Sequence, residues 1–200
     1  ITVFAGTDEI PRDEVSAEIW MSLGIPKERI AYLGVEDNFW IAGESGPCGG
    51  DTEIFYFRSN DEIPTVFDPK DERWVEIWNN VFMEFNKQED GKIVELASKN
   101  VDTGMGLERV VAVLEATDDN YQTSIWKEII ESIEKVSGKS YKGNEHSMRI
   151  IADHIRTSVF ISADPAGIKP SNTDQGYILR RLIRRAIRHA KKLGIDTSMD

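Results

Sequence analysis

The apolar positions of this chain alternate between strand spacing and helical spacing. Residues 1–5, ITVFA, are apolar and branched, which predicts a strand. Residues 11–23 carry apolar side chains at helical intervals and are followed by a Gly-Ile-Pro sequence that ends such a pattern. They predict a helix that buries Ile19, Trp20 and Leu23.

The middle of the chain has the composition of strands. Residues 43–50, GESGPCGG, predict a loop of the kind that lines a small-molecule pocket. Residues 51–58 and 74–85 are rich in aromatic and β-branched side chains, which predicts two strands, the second of them central. A charged turn at 87–92 then predicts a hairpin whose last strand runs to Asp102.

Helices are predicted in the remaining chain. One begins near Gly104 and ends near Ala116, another covers about residues 124–136, and the last follows a Pro-Ser-Asn sequence at 170–172. The predicted buried stripes are Leu107, Val110, Val111 and Leu114 in the first helix, Met148, Ile151, Ile155, Val159 and Ser162 in a third, and Leu179, Leu182, Ile183, Ala186, Ala190 and Leu193 in the last.

Charge is distributed unevenly over the 200 residues. The net charge of −11 argues against a protein that coats nucleic acid non-specifically, yet residues 149–192 hold ten Lys or Arg against three Asp, a net of +7. The last helix has a basic face, which we predict to bind a nucleic-acid backbone, although a solvated helix face is the alternative. Its members are Arg180, Arg181, Arg184, Arg185, Arg188, Lys191 and Lys192.

Other compositional features narrow the class of protein. Cys48 is the only cysteine, so an internal disulfide is excluded, and the three histidines form no Cys/His set for structural zinc. We find no apolar run long enough for a membrane span and no leader features, and we predict a cytoplasmic protein without a membrane partner. The start inside a strand suggests that the chain is cut from something longer.

Residues 101–110, VDTGMGLERV, carry the strongest local chemistry. Gly104 and Gly106 allow a sharp turn and close approach of a ligand, and the start of a helix offers unpaired N–H groups to an anion such as phosphate. Arg109 points away from the apolar face and is free to bind that anion. The alternative is a Gly-rich turn that caps an ordinary helix, with Arg109 as a solvated charge.

Three further side chains each allow two interpretations. Trp40, beside the Gly/Pro-rich segment, is either the wall of a pocket or a core residue. Asn79 interrupts an apolar strand, so it faces a ligand or a hydrogen-bonded turn, or else it faces solvent on an edge strand. Asp102 either receives an ammonium group or N-caps the following helix.

Four segments resemble the class II aminoacyl-tRNA synthetases, and among them the alanine-specific members. GMGLER at 104–109 resembles motif 3 of the family. The other matches are DNFW with GESGPCGGDTEIFYF, EIWNNVFMEFN, and ADHIRTSVF with PSN and GYILRRLIRRAIRH. The departures from the family pattern are Gly50 and Asp51 for Pro-Cys, Phe57 for Asp, Glu84 for Gln, Gln175 for Arg, and a loop at 163–169 that is longer by two residues.

The resemblance implies an α+β fold and an activity. Residues 1–118 would form the later part of an antiparallel aminoacylation sheet with flanking helices, and residues 119–200 would begin an all-α tRNA-recognition domain. The implied reaction activates L-alanine with ATP and Mg²⁺ and transfers it to the 3′ end of tRNA(Ala). Motifs 1 and 2 would lie upstream, so we expect the chain alone to have little or no activity. A non-catalytic RNA-binding protein and an acidic scaffold for a protein partner are the competing interpretations.

The resemblance also implies residue roles. Arg109 would be the catalytic residue that holds the terminal phosphates of ATP, with Gly106 and Glu84 near the nucleotide. Glu84 would either help to hold Mg²⁺ or repel ATP. Mg²⁺ would arrive with ATP, without a protein metal cluster or a zinc site. The alanine site would comprise Trp40, Asn79, Val81, Asp102 and Gly104, and the acceptor stem would be bound by Asn172, which reads a G·U pair, and by Arg180, Arg181, Arg184, Arg185 and Arg188.

Overall fold

Six strands in the first half of the chain form one mixed sheet. The computed structural model describes residues 1–196, and the chain divides into two units, Ile1–Asp118 and Asp119–Asp200. The strands, all in the first unit, are β1 (Thr2–Phe4), β2 (Ala31–Leu33), β3 (Phe39–Ile41), β4 (Gly46–Phe57), β5 (Trp74–Lys87) and β6 (Ile93–Met105). Their order is β2-β1-β4-β5-β6, and β3 pairs with the first part of β4.

Helices flank the sheet and make up the second unit. The first unit contains α1 (Glu14–Ser22), α2 (Val35–Asn38) and α3 (Leu107–Leu114). The second contains α4 (Ser124–Ser137), α5 (Glu145–Ala163) and α6 (Asp174–Lys192). No helix within residues 1–196 combines the length and the apolar character that crossing a membrane requires.

The prediction of an antiparallel sheet is wrong at one edge. β1 and β2 run parallel, because α1 carries the chain across the sheet between them. The pairs that β4 makes with β1, β3 and β5, and the pair of β5 with β6, are antiparallel. The α+β prediction therefore holds in the coarser form of a mixed sheet with flanking helices.

The first helix is shorter than residues 11–23 and buries a different face. Asp13 is its N-cap and accepts a first-turn backbone N–H at 2.9 Å, which sets the start of the helix. Ile19 and Leu23 are exposed, so the predicted core positions are wrong there. Ala17 packs on the sheet instead, and Trp20 is half-buried, with its indole N–H donated to a threonine of β4.

Five of the eight residues of the Gly/Pro-rich segment belong to the sheet. A loop over 43–50 is predicted, but β4 begins at Gly46. A Cβ built at Gly49 would lie 1.7 Å from the carbonyl oxygen of Phe82 on β5. Glycine is required there because two backbones approach closely, rather than because a loop must turn.

The helix that carries Arg109 begins later than predicted. The backbone N–H of Gly106 donates to the carbonyl oxygen of Ile77 at 3.0 Å, so the chain stays beside β5 and α3 starts at Leu107. Leu107 and Leu114 are 52% and 78% exposed, and the helix buries Ala112 instead. The predicted apolar face is therefore wrong at both ends.

The helices of the second unit share an apolar core. The helix predicted over residues 124–136 is confirmed to within one residue at its end, where Gly138 adopts the left-handed conformation. Ile155 and Val159 are 50% and 59% exposed, so the predicted α5 stripe is buried only in part. They line an apolar cavity of about 870 Å³. The core consists of Trp126, Ile130, Ile133, Met148, Ile151, Ala152, Ala190 and Leu193.

Candidate functional site

Strand register places four of the predicted alanine-site residues on one face of the sheet. Val81 of β5 pairs with Asp102 of β6, and Asn79 pairs with Gly104. Directly paired residues of antiparallel strands project to the same face, and so do residues two apart on one strand. Asn79 and Val81 are distant in sequence from Asp102 and Gly104 and become their neighbours only through this register.

Strand β4 adds two carboxylates to this face that the sequence analysis missed. Asp51 pairs with Val81, and Glu53 pairs with Asn79. Asp51 is only 2% exposed, and Glu53 is half-buried. The sequence signal for them was the spacing of Asp51 and Glu53, two residues apart within a predicted strand, which puts both on the same face. A carboxylate buried on such a face needs hydrogen-bonding partners, so the pair could have been recognised as part of a polar site.

Asparagine and threonine side chains supply those partners. Asn38 donates to Oδ1 of Asp51 at 2.7 Å and to the hydroxyl of Thr2 at 2.8 Å. Thr2 in turn donates to Oε2 of Glu53 at 2.9 Å. The Oδ1 atom of Asn79 is buried and has no hydrogen-bond partner among the described residues.

Burial changes the acidity of both carboxyl groups. It raises the pKa of Asp51 to about 6, against the opposing effect of the hydrogen bond from Asn38 and of the neighbouring Asn79 amide. It raises the pKa of Glu53 to about 7, with further repulsion from Glu76 and Asp51. Above about pH 6 Asp51 is therefore mainly ionised, and in that state it accepts the amide of Asn38.

Arg109 extends from the first turn of α3 to strand β5. Its Nη1 donates to Oε2 of Glu76 at 2.6 Å and to the backbone carbonyl of the same residue at 2.9 Å. A Cβ at Gly106 would lie 3.0 Å from Cδ of Arg109, so this glycine leaves room for the arginine side chain. The Arg109 side chain is 45% exposed, which keeps the guanidinium within reach of a ligand.

Two of the open alternatives are decided by the structure. Asp102 does not N-cap α3, because Gly106 holds that position and Asp102 accepts the backbone N–H of Thr103 at 2.9 Å. Asn79 does not lie on an edge strand, because β5 is paired on both sides. Asp102 is exposed, within the paired region of β5 and β6.

Trp40 and Glu84 lie further from this group of residues. Trp40 pairs with Gly49 and is 38% exposed. Glu84 lies at an irregularity of the β5–β6 pairing and forms an ion pair with Lys99. Glu84 and Lys99 line a different cavity of about 520 Å³, which also contains Phe4 and residues of α1.

The basic face of α6 is exposed to solvent. Arg181, Arg184, Arg185 and Arg188 are exposed, whereas Arg180 is half-buried and donates to Oδ1 of Asn172. The arginines line two shallow cavities of about 410 and 440 Å³. The pKa of the buried His189 is lowered, first by burial and then by repulsion from basic neighbours that include Lys192, which reflects a concentrated positive charge.

The described residues form no metal centre of their own. Within residues 1–196, no group of three or more His, Cys, Asp or Glu side chains is arranged to hold a metal ion. The three carboxylates near Asn79 are instead engaged by asparagine, threonine and arginine side chains.

Known proteins share the sequence over almost its whole length. A family model described as tRNA synthetases class II (A) matches residues 2–200. The alanine-tRNA ligases of Treponema denticola and Borrelia hermsii are 53% and 50% identical over 201 and 203 residues, which cover 98% of this chain and 34% of each relative. That of Anaeromyxobacter dehalogenans is 44% identical over 208 residues, or 98% of this chain and 23% of the relative. The chain thus spans about a third or less of the length of these relatives.

Proposed function

Because the chain belongs to the class II tRNA synthetases, we propose that it is part of an alanine-tRNA ligase that works in the cytoplasm. The enzyme activates L-alanine with ATP and Mg²⁺ and transfers the alanyl group to the 3′ end of tRNA(Ala). The named relatives support this choice of amino acid. In the structure, the main support is the register that sets Asn79 and Val81 beside Gly104 and Asp102.

The chemistry of these four residues suits a small amino acid. The exposed carboxylate of Asp102 can receive an α-ammonium group, and the branched side chain of Val81 bounds a space that fits one methyl group. Gly104 has no atom within 4 Å of the position of a Cβ, so it leaves open space beside them. Trp40 would form an outer wall of the pocket.

Arg109 supplies the positive charge for the nucleotide. The terminal phosphates of ATP would compete with the Glu76 carboxylate for the guanidinium, which has five N–H donors in a fork that matches phosphate oxygens. Gly106 permits this position of Arg109, and Glu84 would lie at the margin of the nucleotide. Catalysis then consists of positioning and charge stabilisation, without a protein nucleophile.

The experiment that tests this function is alanine-dependent exchange of pyrophosphate into ATP by the full-length protein that contains this chain. We expect exchange with L-alanine, and weaker exchange with glycine, which lacks the methyl group, and with serine, which adds a hydroxyl. Absence of exchange with every amino acid, together with retained binding of an acceptor-stem RNA, would favour the non-catalytic RNA-binding protein instead.

We propose that Asn172 and the basic face of α6 bind the tRNA acceptor stem. The exposed arginines match a phosphate backbone, and A-form RNA presents a shallow minor groove that an amide can reach. Oδ1 of Asn172 already accepts from Arg180, but a carbonyl oxygen has two lone pairs. It can therefore also accept from the exposed amino group of a G·U pair.

Removing positive charge from α6 is expected to weaken binding of an acceptor-stem RNA. Replacing Arg181, Arg184 and Arg188 with glutamine removes three exposed charges. Each lost phosphate contact reduces the slope of log affinity against log salt by about 1, and we expect the affinity to fall at least about tenfold at physiological salt.

The matched control removes three exposed charges from another part of the same unit. Glutamine at Lys127, Lys135 and Lys139 is expected to leave the affinity within about twofold, since these residues lie outside the basic face of α6. Equal losses in the two triple variants, measured by fluorescence anisotropy over a salt series, would contradict a role for α6 and indicate a general charge effect.

A further inference from the structure

We infer that Gly176 and Ser171 are positioning residues for RNA recognition, because together they fix the loop that carries Asn172 against the first turn of α6. This inference rests on the proposed function and deepens it, since it states what holds the Asn172 amide in place. Neither Gly176 nor Ser171 needs to touch the RNA, and both act through Asn172.

The loop before α6 approaches Gly176 more closely than any side chain would allow. Gly176 lies in the first turn of the helix and is buried. A Cβ built there would lie 2.4 Å from Oγ of Ser171, 2.9 Å from its Cβ and 2.5 Å from the backbone carbonyl oxygen of Lys169. Non-bonded carbon atoms are most stable about 3.5–4.0 Å apart. Because the Lys169 oxygen belongs to the backbone, rotation of the Ser171 side chain alone would not make room. A larger residue at 176 must therefore displace the loop or the helix turn.

Hydrogen bonds fasten the same loop to α6 at two levels. The backbone N–H of Ser171 donates to the carbonyl oxygen of Gly176 at 3.0 Å. One turn further along, Arg180 donates to Oδ1 of Asn172. Gly176 and Arg180 are four residues apart in the helix, so they share one face. The loop therefore follows that face of α6, and a shift at Gly176 is passed on to Asn172.

Ser171 also fixes the sharp turn by which the chain enters the helix. Its Oγ donates to the carbonyl oxygen of Thr173 at 2.8 Å and accepts the backbone N–H of Thr173 at 3.3 Å. The next residue, Asp174, has a φ of 51°, in the left-handed region that aspartate tolerates better than most residues. Such a conformation persists where surrounding contacts over-determine it. The contacts of Ser171 and Gly176 supply that constraint on both sides of Asn172.

A displaced Asn172 would change specificity more than affinity. The exposed arginines of α6 attract phosphates whatever the base sequence, and their contacts set the salt dependence. A hydrogen bond to a base edge, in contrast, requires a donor–acceptor distance of about 2.7–3.2 Å, so a shift of about 1 Å removes it. The two kinds of contact can therefore be measured separately.

The experiment measures binding of two acceptor-stem RNAs to the full-length protein and to its Gly176→Ala variant. The RNAs differ at the G·U pair, where one has guanosine and the other has inosine, which lacks the exocyclic amino group. We expect the wild-type protein to prefer guanosine by about three- to tenfold, as for one neutral hydrogen bond. In Gly176→Ala the ratio should fall close to one, while the slope of log affinity against log salt stays unchanged because no phosphate contact is lost.

A double-mutant cycle gives a readout that a general loss of structure would not reproduce. If Gly176 acts only through Asn172, the double variant Gly176→Ala with Asn172→Ala has the same affinity and the same guanosine preference as Asn172→Ala alone. An additive loss of affinity in the double variant would overturn the positioning role. Alanine-dependent pyrophosphate exchange should stay within about twofold of the wild-type rate in every variant, since the amino acid and ATP do not contact this loop.

A second variant keeps the test independent of overpacking. Ser171→Ala adds no atoms and removes the Oγ that holds Thr173, so the guanosine preference should fall in part. The matched control is Ile178→Ala, a truncation two residues after Gly176 and about 200° around the helix, at a side chain that is 49% exposed. This control should keep the full guanosine preference.

The outcomes separate this inference from the proposed function. A wild-type preference for guanosine that is retained in both Gly176→Ala and Ser171→Ala overturns the positioning role alone. A wild-type protein that binds the two RNAs equally well overturns the proposed base contact of Asn172 and the positioning role together. The ligase activity itself is tested by alanine-dependent exchange, which does not involve either RNA.

Discussion

Replacing Arg109 with alanine is expected to lower alanine-dependent pyrophosphate exchange by about 10²–10³-fold in the full-length protein. The guanidinium is partly exposed and reaches β5 from the first turn of α3, where Gly106 leaves it room. Charge develops on the phosphates as the alanyl adenylate forms, so the loss should appear in kcat as well as in the KM for ATP. The measurement is exchange at saturating and limiting ATP.

The Arg109→Ala variant should fold normally. Arg109 forms an ion pair with Glu76, and the two side chains are 45% and 33% exposed. Ion pairs this exposed contribute at most about 1 kcal/mol to stability. Arg73→Ala is the matched control, because Arg73 has similar exposure and pairs with Asp61 and Asp71 away from the candidate site. Retention of more than about a third of the wild-type rate by Arg109→Ala would exclude the nucleotide role of this residue.

Alanine at Gly49 is expected to destabilise the first unit by about 3 kcal/mol or more. The added Cβ would lie 1.7 Å from the carbonyl oxygen of Phe82 and 2.8 Å from its carbonyl carbon. Both are backbone atoms of β5, so no side chain can move aside. The strands would have to separate at this point, and the pairing that positions Asp51 beside Val81 begins two residues further along β4.

Gly104→Ala is the matched control for the stability measurement. Gly104 also lies in a strand, but a Cβ there meets no atom within 4 Å, so we expect its free energy of unfolding to stay within about 1 kcal/mol of the wild-type value. Urea unfolding monitored by circular dichroism gives both values. Equal midpoints for Gly49→Ala and the wild-type protein would show that β4 and β5 are not held together as described.

Local sequence was sufficient for the long elements and for the family. The aromatic and β-branched run at 74–85 forms β5, and the helical pattern at 124–136 forms α4. Each pattern is long enough to specify its secondary structure locally. Motif 3 and the segments around Trp40 and Asn79 indicated the class II synthetases, and the family match and the named relatives confirm that prediction.

The sequence did not show which side of a short helix faces the core. Leu107 and Leu114 have the correct helical spacing, yet both are exposed, because the chain stays paired with β5 until Gly106 and α3 buries Ala112. Spacing defines an angular relation within one helix. The direction of that helix relative to the sheet depends on contacts with residues far away in sequence.

What the sequence determined by itself was therefore the family, most of the strands and helices, and the residue types of the proposed site. Only the tertiary structure decided that β1 and β2 are parallel, that Gly49 is required by the backbone of β5, and that Asp51 and Glu53 pair with Val81 and Asn79. The physical reason is common to all three. Strand register and burial are long-range properties, and a carboxylate such as Asp51 acquires its partners and its raised pKa only when distant strands close around it.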